Sequence, residues 1–145
     1  MELAIALDDL ARIGQGLFPR ELGVHPIETI LRGMVNGMPI TTNLVTSGPR
    51  QDLQPSQQAL VFFFCSECLA NVARHADATT ATIELHFQSG NLLMSVRDNG
   101  HGGAVMTASR GLRGLGDRVE VAGGRLTINS PPGGPTCILA EVPLA

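Results

Sequence analysis

The apolar positions change period several times along the chain, and each period predicts an element. Leu3, Leu7, Leu10 and Leu17 fall at spacings of four, three and seven, with Gly14 at the vacant seam position. That spacing predicts a helix with a narrow stripe of the kind that meets a partner helix; an ordinary amphipathic helix folded on its own domain is the alternative. Pro19 and Gly23 punctuate its end, and HPIETILRGMVNGM predicts a second helix from near Pro26 to Gly37. ITTNLVTSG alternates as a strand does. PSQQALVFFFCSECLANVARHA is the longest helical segment, opening near Pro55 or Ser56 and losing its period at Asp77. ATIELHFQ and LLMSVRD alternate as two strands joined through SGN, a hairpin turn. The next stretch, NGHGGAVMTASRGLRGLG, holds six glycines and reads as a loop. It runs into a helix over GLGDRVEVAG and then into two closing strands, RLTINS and CILAEVPL, joined by PPGGP. Helices mixed with strands on tight turns imply an α+β domain, its helices stacked on one face of a largely antiparallel sheet. At 145 residues the chain is one domain with at most a short appendage.

Three polar side chains interrupt the long helix. Glu67, Asn71 and His75 stand four residues apart, and on a helix such positions form one slightly slanted row. Leu60, Phe63, Phe64, Leu69 and Val72 make the other faces apolar. A helix apolar on most sides is buried, and burying a carboxylate without a partner is costly. The row therefore faces either solvent, as most polar rows do, or a ligand.

Composition narrows the chemistry. Every one of the ten basic residues is arginine. The absence of lysine excludes Schiff-base catalysis and a phosphate loop of the GxxxxGK[ST] kind. A net charge of −3, with no Trp or Tyr, argues against a nucleic-acid surface. The leading MELAIALDDL carries no positively charged segment, and the longest apolar run, Ala59 to Cys65, is too short to cross a bilayer, so a cytoplasmic protein without direct membrane insertion is expected. Cys65 and Cys68 invite a metal or redox function. With His75 about 10 Å further along the helix axis, one zinc ion cannot gather all three, and buried structural thiols are the simpler expectation. His86 falls on a strand's polar face, and His25 precedes Pro26 in a loop with no assigned role.

Asp98-Asn99-Gly100-His101-Gly102 closes a predicted strand and enters the glycine-rich loop. Taken alone this is a turn. Yet Asp98 can only accept hydrogen bonds, which suits an exocyclic amino group, and two glycines beside it permit close approach. GLRGLG is not the dinucleotide fingerprint, because its glycine spacing is reversed and no strand directly precedes it. It does place backbone N–H groups at a helix start, where anions bind well.

In order, E-x-x-x-N-x-x-x-H-A, D-x-G-x-G, G-L-x-G-L-x-D-R-V and S-P-P-G-G-x-T resemble the Bergerat-fold (GHKL) ATP-binding catalytic domain of bacterial two-component sensor histidine kinases. The resemblance is greatest to the short-lid class paired with NarL-type response regulators, and it covers roughly residues 26 to 145. LARIGQGLFPREL also resembles the end of that class's second dimerisation helix. The implied division is 1–22 as the last part of a dimerisation helix and connector, and 23–145 as the catalytic domain, a two-layer α/β sandwich.

The resemblance implies a task for each matching residue. Asn71 would hold Mg²⁺, Glu67 would act as the base or orienting group for the phosphoacceptor, and His75 would lie near the phosphates. Asp98 would take the adenine amine while Gly100 and Gly102 let the base lie close. Arg110, Gly111, Leu112, Arg113, Gly114, Leu115 and Gly116 would cradle the phosphates, and Thr136 would support Asp98 and the adenine. The implied partners are ATP or ADP, a histidine-bearing dimerisation domain and, indirectly, a NarL-type response regulator. Two departures stand out: Ser109 occupies the place of a family glycine, and no phosphoacceptor-histidine box occurs in the 145 residues. The implied activity is an ATP-dependent histidine kinase that does not phosphorylate itself alone. A nucleotide-gated interaction module of the anti-sigma or phosphotransfer kind is the alternative.

Overall fold

A computed structural model describes residues 25–74, 77–102 and 110–144. The leucine stripe of residues 3 to 17, together with His75 and Ser109, lies outside the described residues. The described residues form three helices and five strands in the order α1 (Ile27–Asn36), β1 (Thr41–Ser47), α2 (Pro55–Arg74), β2 (Thr80–Gln88), β3 (Asn91–Asp98), α3 (Arg110–Val121), β4 (Arg125–Asn129) and β5 (Thr136–Pro143). The strands form one sheet in the order β1-β2-β3-β5-β4. Only the β1–β2 pair is parallel; the other three are antiparallel. This is the expected two-layer α+β architecture.

Strand alternation decides which side chains face the helices. In β2, Ala81, Ile83, Leu85 and Phe87 point inward, and in β5, Thr136, Ile138, Ala140 and Val142 do. In β3 the inward set is Leu92, Met94, Val96 and Asp98, so the period that buries three apolar residues also carries a carboxylate inside. Helix α1 buries Ile27, Ile30, Leu31 and Met34 at the spacing of one helical face. Helix α2 is buried without a break from Val61 to Val72. It lies between α1 and α3 and contacts β3, which leaves little of its middle for water.

Helix α3 begins at Arg110, one turn before the Gly114 start expected from glycine content. Its glycines weaken the helix intrinsically, by about 1 kcal/mol each relative to alanine. Leu112, Leu115 and Val119, which are fully buried, supply the stripe that compensates, and tertiary packing overrides local propensity.

Sheet register gathers one end of the molecule. Ala81, Asp98 and Thr136 form a single row across β2, β3 and β5. The C-terminal end of α2 feeds into the start of β2 at that end. Helix α3 ends near Arg125, which pairs with Glu141 toward the opposite end, and its first turn meets α2 at Glu67. At the opposite end a cleft of about 640 Å³ opens between the start of α2 and the end of α3, with Leu60, Leu92, Val121 and Val142 among its walls. Among the described residues, no helix is long and apolar enough to cross a membrane.

Candidate functional site

The polar row of α2 does not face solvent. Glu67 is 4% exposed and Asn71 6% exposed, although both side chains are hydrophilic. Glu67 points at the first turn of α3, so close that a Cβ on Gly111 would collide with its Oε2. A carboxylate against a helix N-terminus is a favourable arrangement, since the first-turn N–H groups have no partner within the helix. Burial pushes the Glu67 carboxyl up from its ordinary range, while the charges of Arg74 and Arg118 pull it back. Within GLRGLG only the first-turn N–H groups stand outside the helix's own ladder, because later ones serve it.

Asp98 is buried at the end of β3, and its Oδ1 accepts the Gly100 N–H at 2.8 Å. Thr136 sits opposite it on β5, also buried, with its hydroxyl 2.6 Å from Ser130 Oγ. The DNGHG loop is locked to the PPGGP turn by Gly133 N–H donating to the His101 carbonyl at 2.7 Å. Gly102 has φ +70°, and a Cβ there would strike the Pro131 carbonyl. Its missing side chain thus makes room for the later turn, a backbone-to-backbone approach that the isolated motif does not reveal.

Several contributors escaped sequence reasoning. Asn99 Oδ1 accepts the Thr79 and Thr80 N–H groups at 2.8 and 3.0 Å, and its Nδ2 donates to Thr79 Oγ1 at 2.8 Å, pinning the loop to the start of β2. His101 Nε2 lies 2.8 Å from an Asp77 carboxylate oxygen on the opposing loop. Arg118 stacks on Phe63, its guanidinium carbon 3.9 Å from the ring centre. All three contacts join segments far apart in the chain, so no local pattern marks them.

The thiols behave as structural groups. Cys65 and Cys68 are free and buried, and burial raises the Cys65 pKa to about 12. Among the described residues no cluster of three metal-ligating side chains exists. Burial both raises the thiol pKa and denies a reagent access, so the native protein is expected to react with a thiol reagent at half-buried Cys137, and at fully buried Cys65 and Cys68 at least about 100-fold more slowly. Mass-mapped labelling before and after denaturation checks this; fast native labelling of Cys65 contradicts it.

Comparison with known proteins gives a consistent result. No protein-family model matches the chain. The signal transduction histidine-protein kinase/phosphatase UhpB of Salmonella typhimurium is 28% identical over 133 residues, covering 87% of this chain and 27% of UhpB. The sensor histidine kinase NarS of Mycobacterium tuberculosis is 36% identical over 92 residues, covering 59% of this chain and 21% of NarS. The chain thus spans about a quarter of the length of these relatives. The histidine kinase domain of the Erythrobacter litoralis blue-light activated kinase EL346 superposes with a TM-score of 0.57 over 97% of this chain and 62% of that one, at 21% identity, a likeness of fold.

Proposed function

We propose, for a chain whose relatives are bacterial sensor histidine kinases and whose fold is that of their catalytic domain, that it binds ATP and presents the γ-phosphate to a histidine on a dimerisation domain. The observation that carries this reading is the burial of Glu67 and Asn71, one turn apart on α2, with Glu67 set against the start of α3. A merely solvated polar face would not be enclosed there.

The residue chemistry fits the proposed ligands. Asn71 and Glu67 offer oxygen donors, the kind that Mg²⁺ prefers, and Asn71 would hold the ion. Mg²⁺, when bound, would neutralise charge on the phosphates. Asp98 accepts the adenine amino group, Thr136 backs the same row, and the α3 first turn attracts phosphate oxygens. Glu67 acts on the acceptor side, orienting the incoming imidazole or taking its proton. Phosphoryl transfer depends mostly on positioning and charge stabilisation, so such a site requires no covalent nucleophile of its own. A NarL-type response regulator would receive the phosphoryl group from the dimerisation domain, and the cytoplasm is the compartment where ATP and regulator meet.

Incubation with labelled ATP tests the reading. The chain alone is expected to stay unlabelled, and a histidine-bearing dimerisation domain supplied in trans is expected to gain an acid-labile, base-resistant label. A stable label of that kind on this chain alone, or no transfer to the supplied domain, contradicts it.

A further inference from the structure

The seam between α2 and α3 is held at two points. At one, Gly111 receives the Glu67 carboxylate; at the other, the Arg118 guanidinium lies over the Phe63 ring. Each pair of anchors shares a helix face, since Phe63 and Glu67 are one turn apart on α2 and Gly111 and Arg118 two turns apart on α3. The rest of the seam is apolar, with Leu112, Leu115 and Val119 buried. Apolar contact is non-directional and tolerates small slides and rolls of one helix over another. A planar cation over an aromatic face has a defined geometry and restricts them.

We propose that Arg118 is a positioning residue for phosphoryl transfer: clamped on Phe63, it keeps the first turn of α3 seated against Glu67, so that the carboxylate holds one orientation toward the acceptor. Arg118 stands two turns from Gly111 and lines the cleft at the opposite end of the sheet, beyond the nucleotide groups. Loss of the clamp lets the Glu67 side chain turn within its seat while the first-turn backbone still meets the phosphates, so the effect falls on the transfer step rather than on nucleotide affinity. The proposal rests on the catalytic role of Glu67 given above.

Arg118→Met keeps the apolar stem and removes the charge, whereas Arg118→Lys keeps the charge without the plane. In the trans-transfer assay Arg118→Met is expected to lower kcat about tenfold with the ATP KM changed by less than about twofold, and Arg118→Lys to recover part of the loss. In a Glu67→Gln background the Met substitution is expected to add no further loss, because the group it positions is gone. An undiminished tenfold loss in that background, a raised KM at unchanged kcat, or no recovery by lysine overturns the proposal. The catalytic assignment itself is read separately: a Glu67→Gln single variant at the unmutated rate removes the premise, whatever Arg118 does.

Discussion

Glu67→Gln is expected to reduce phosphoryl transfer by roughly 10²-fold or more, the scale of a lost acid–base group, with ADP affinity little changed. Glutamine keeps the size and one acceptor oxygen, so it still fits beside Gly111, but it lacks the charge that acts on the acceptor. The same substitution has a second, opposite consequence. Burial raises the Glu67 pKa in the folded chain above its unfolded value. The folded state thus holds that proton more tightly, and this contribution to stability is complete below the unfolded carboxylate range and lost as pH rises through the raised folded value. Glu67→Gln removes this loss, so the variant is expected to melt no lower than the unmutated chain at neutral pH and to show a flatter fall of Tm from acid to neutral pH. Trans-transfer kinetics, ADP calorimetry and thermal scans at several pH values check the three parts. Transfer at the unmutated rate shows that Glu67 is not catalytic and makes a nucleotide-gated binding module the better account.

Asp98→Asn is expected to weaken ADP binding by roughly 10- to 100-fold, corresponding to one lost hydrogen bond to a charged acceptor and one mismatched donor in a buried site. The substitution is informative because it spares the loop. Asn retains Oδ1, which accepts the Gly100 N–H, and the Asn99 staple to Thr79 and Thr80 is untouched. What changes is the second atom, an acceptor replaced by an NH₂ donor that opposes the adenine amine. The unmutated chain should prefer ADP to GDP, and the variant should lose most of that preference while its Tm moves little. Calorimetry with both nucleotides decides this; equal binding of ADP and GDP by the unmutated chain sinks the adenine assignment.

Much of the architecture was legible in the chain because local periodicity reports burial directly. The 3.6 and 2.0 periods located every described helix and strand, since a side chain's face follows from its position in the element. The hairpin through Ser89 and Gly90 and the turn at PPGGP followed from backbone chemistry. Helix α3 was misjudged at its start because glycine content is a local quantity, whereas the burial of Leu112 and Leu115 against the core is not. The candidate site divides in the same way. The four-residue spacing of Glu67, Asn71 and His75 guaranteed a row, but only the enclosure of α2 between α1 and α3 decided that its first two members are buried rather than solvated. Strand alternation placed Asp98 and Thr136 on the inner face, and the β3–β5 register made them neighbours. The Glu67–Gly111 seat and the Arg118–Phe63 clamp join residues more than forty positions apart. Contacts of that range leave no periodic trace in either segment. They exist because the apolar stripes of α2 and α3 meet over one sheet, so their geometry is a property of the packing and not of the local sequence.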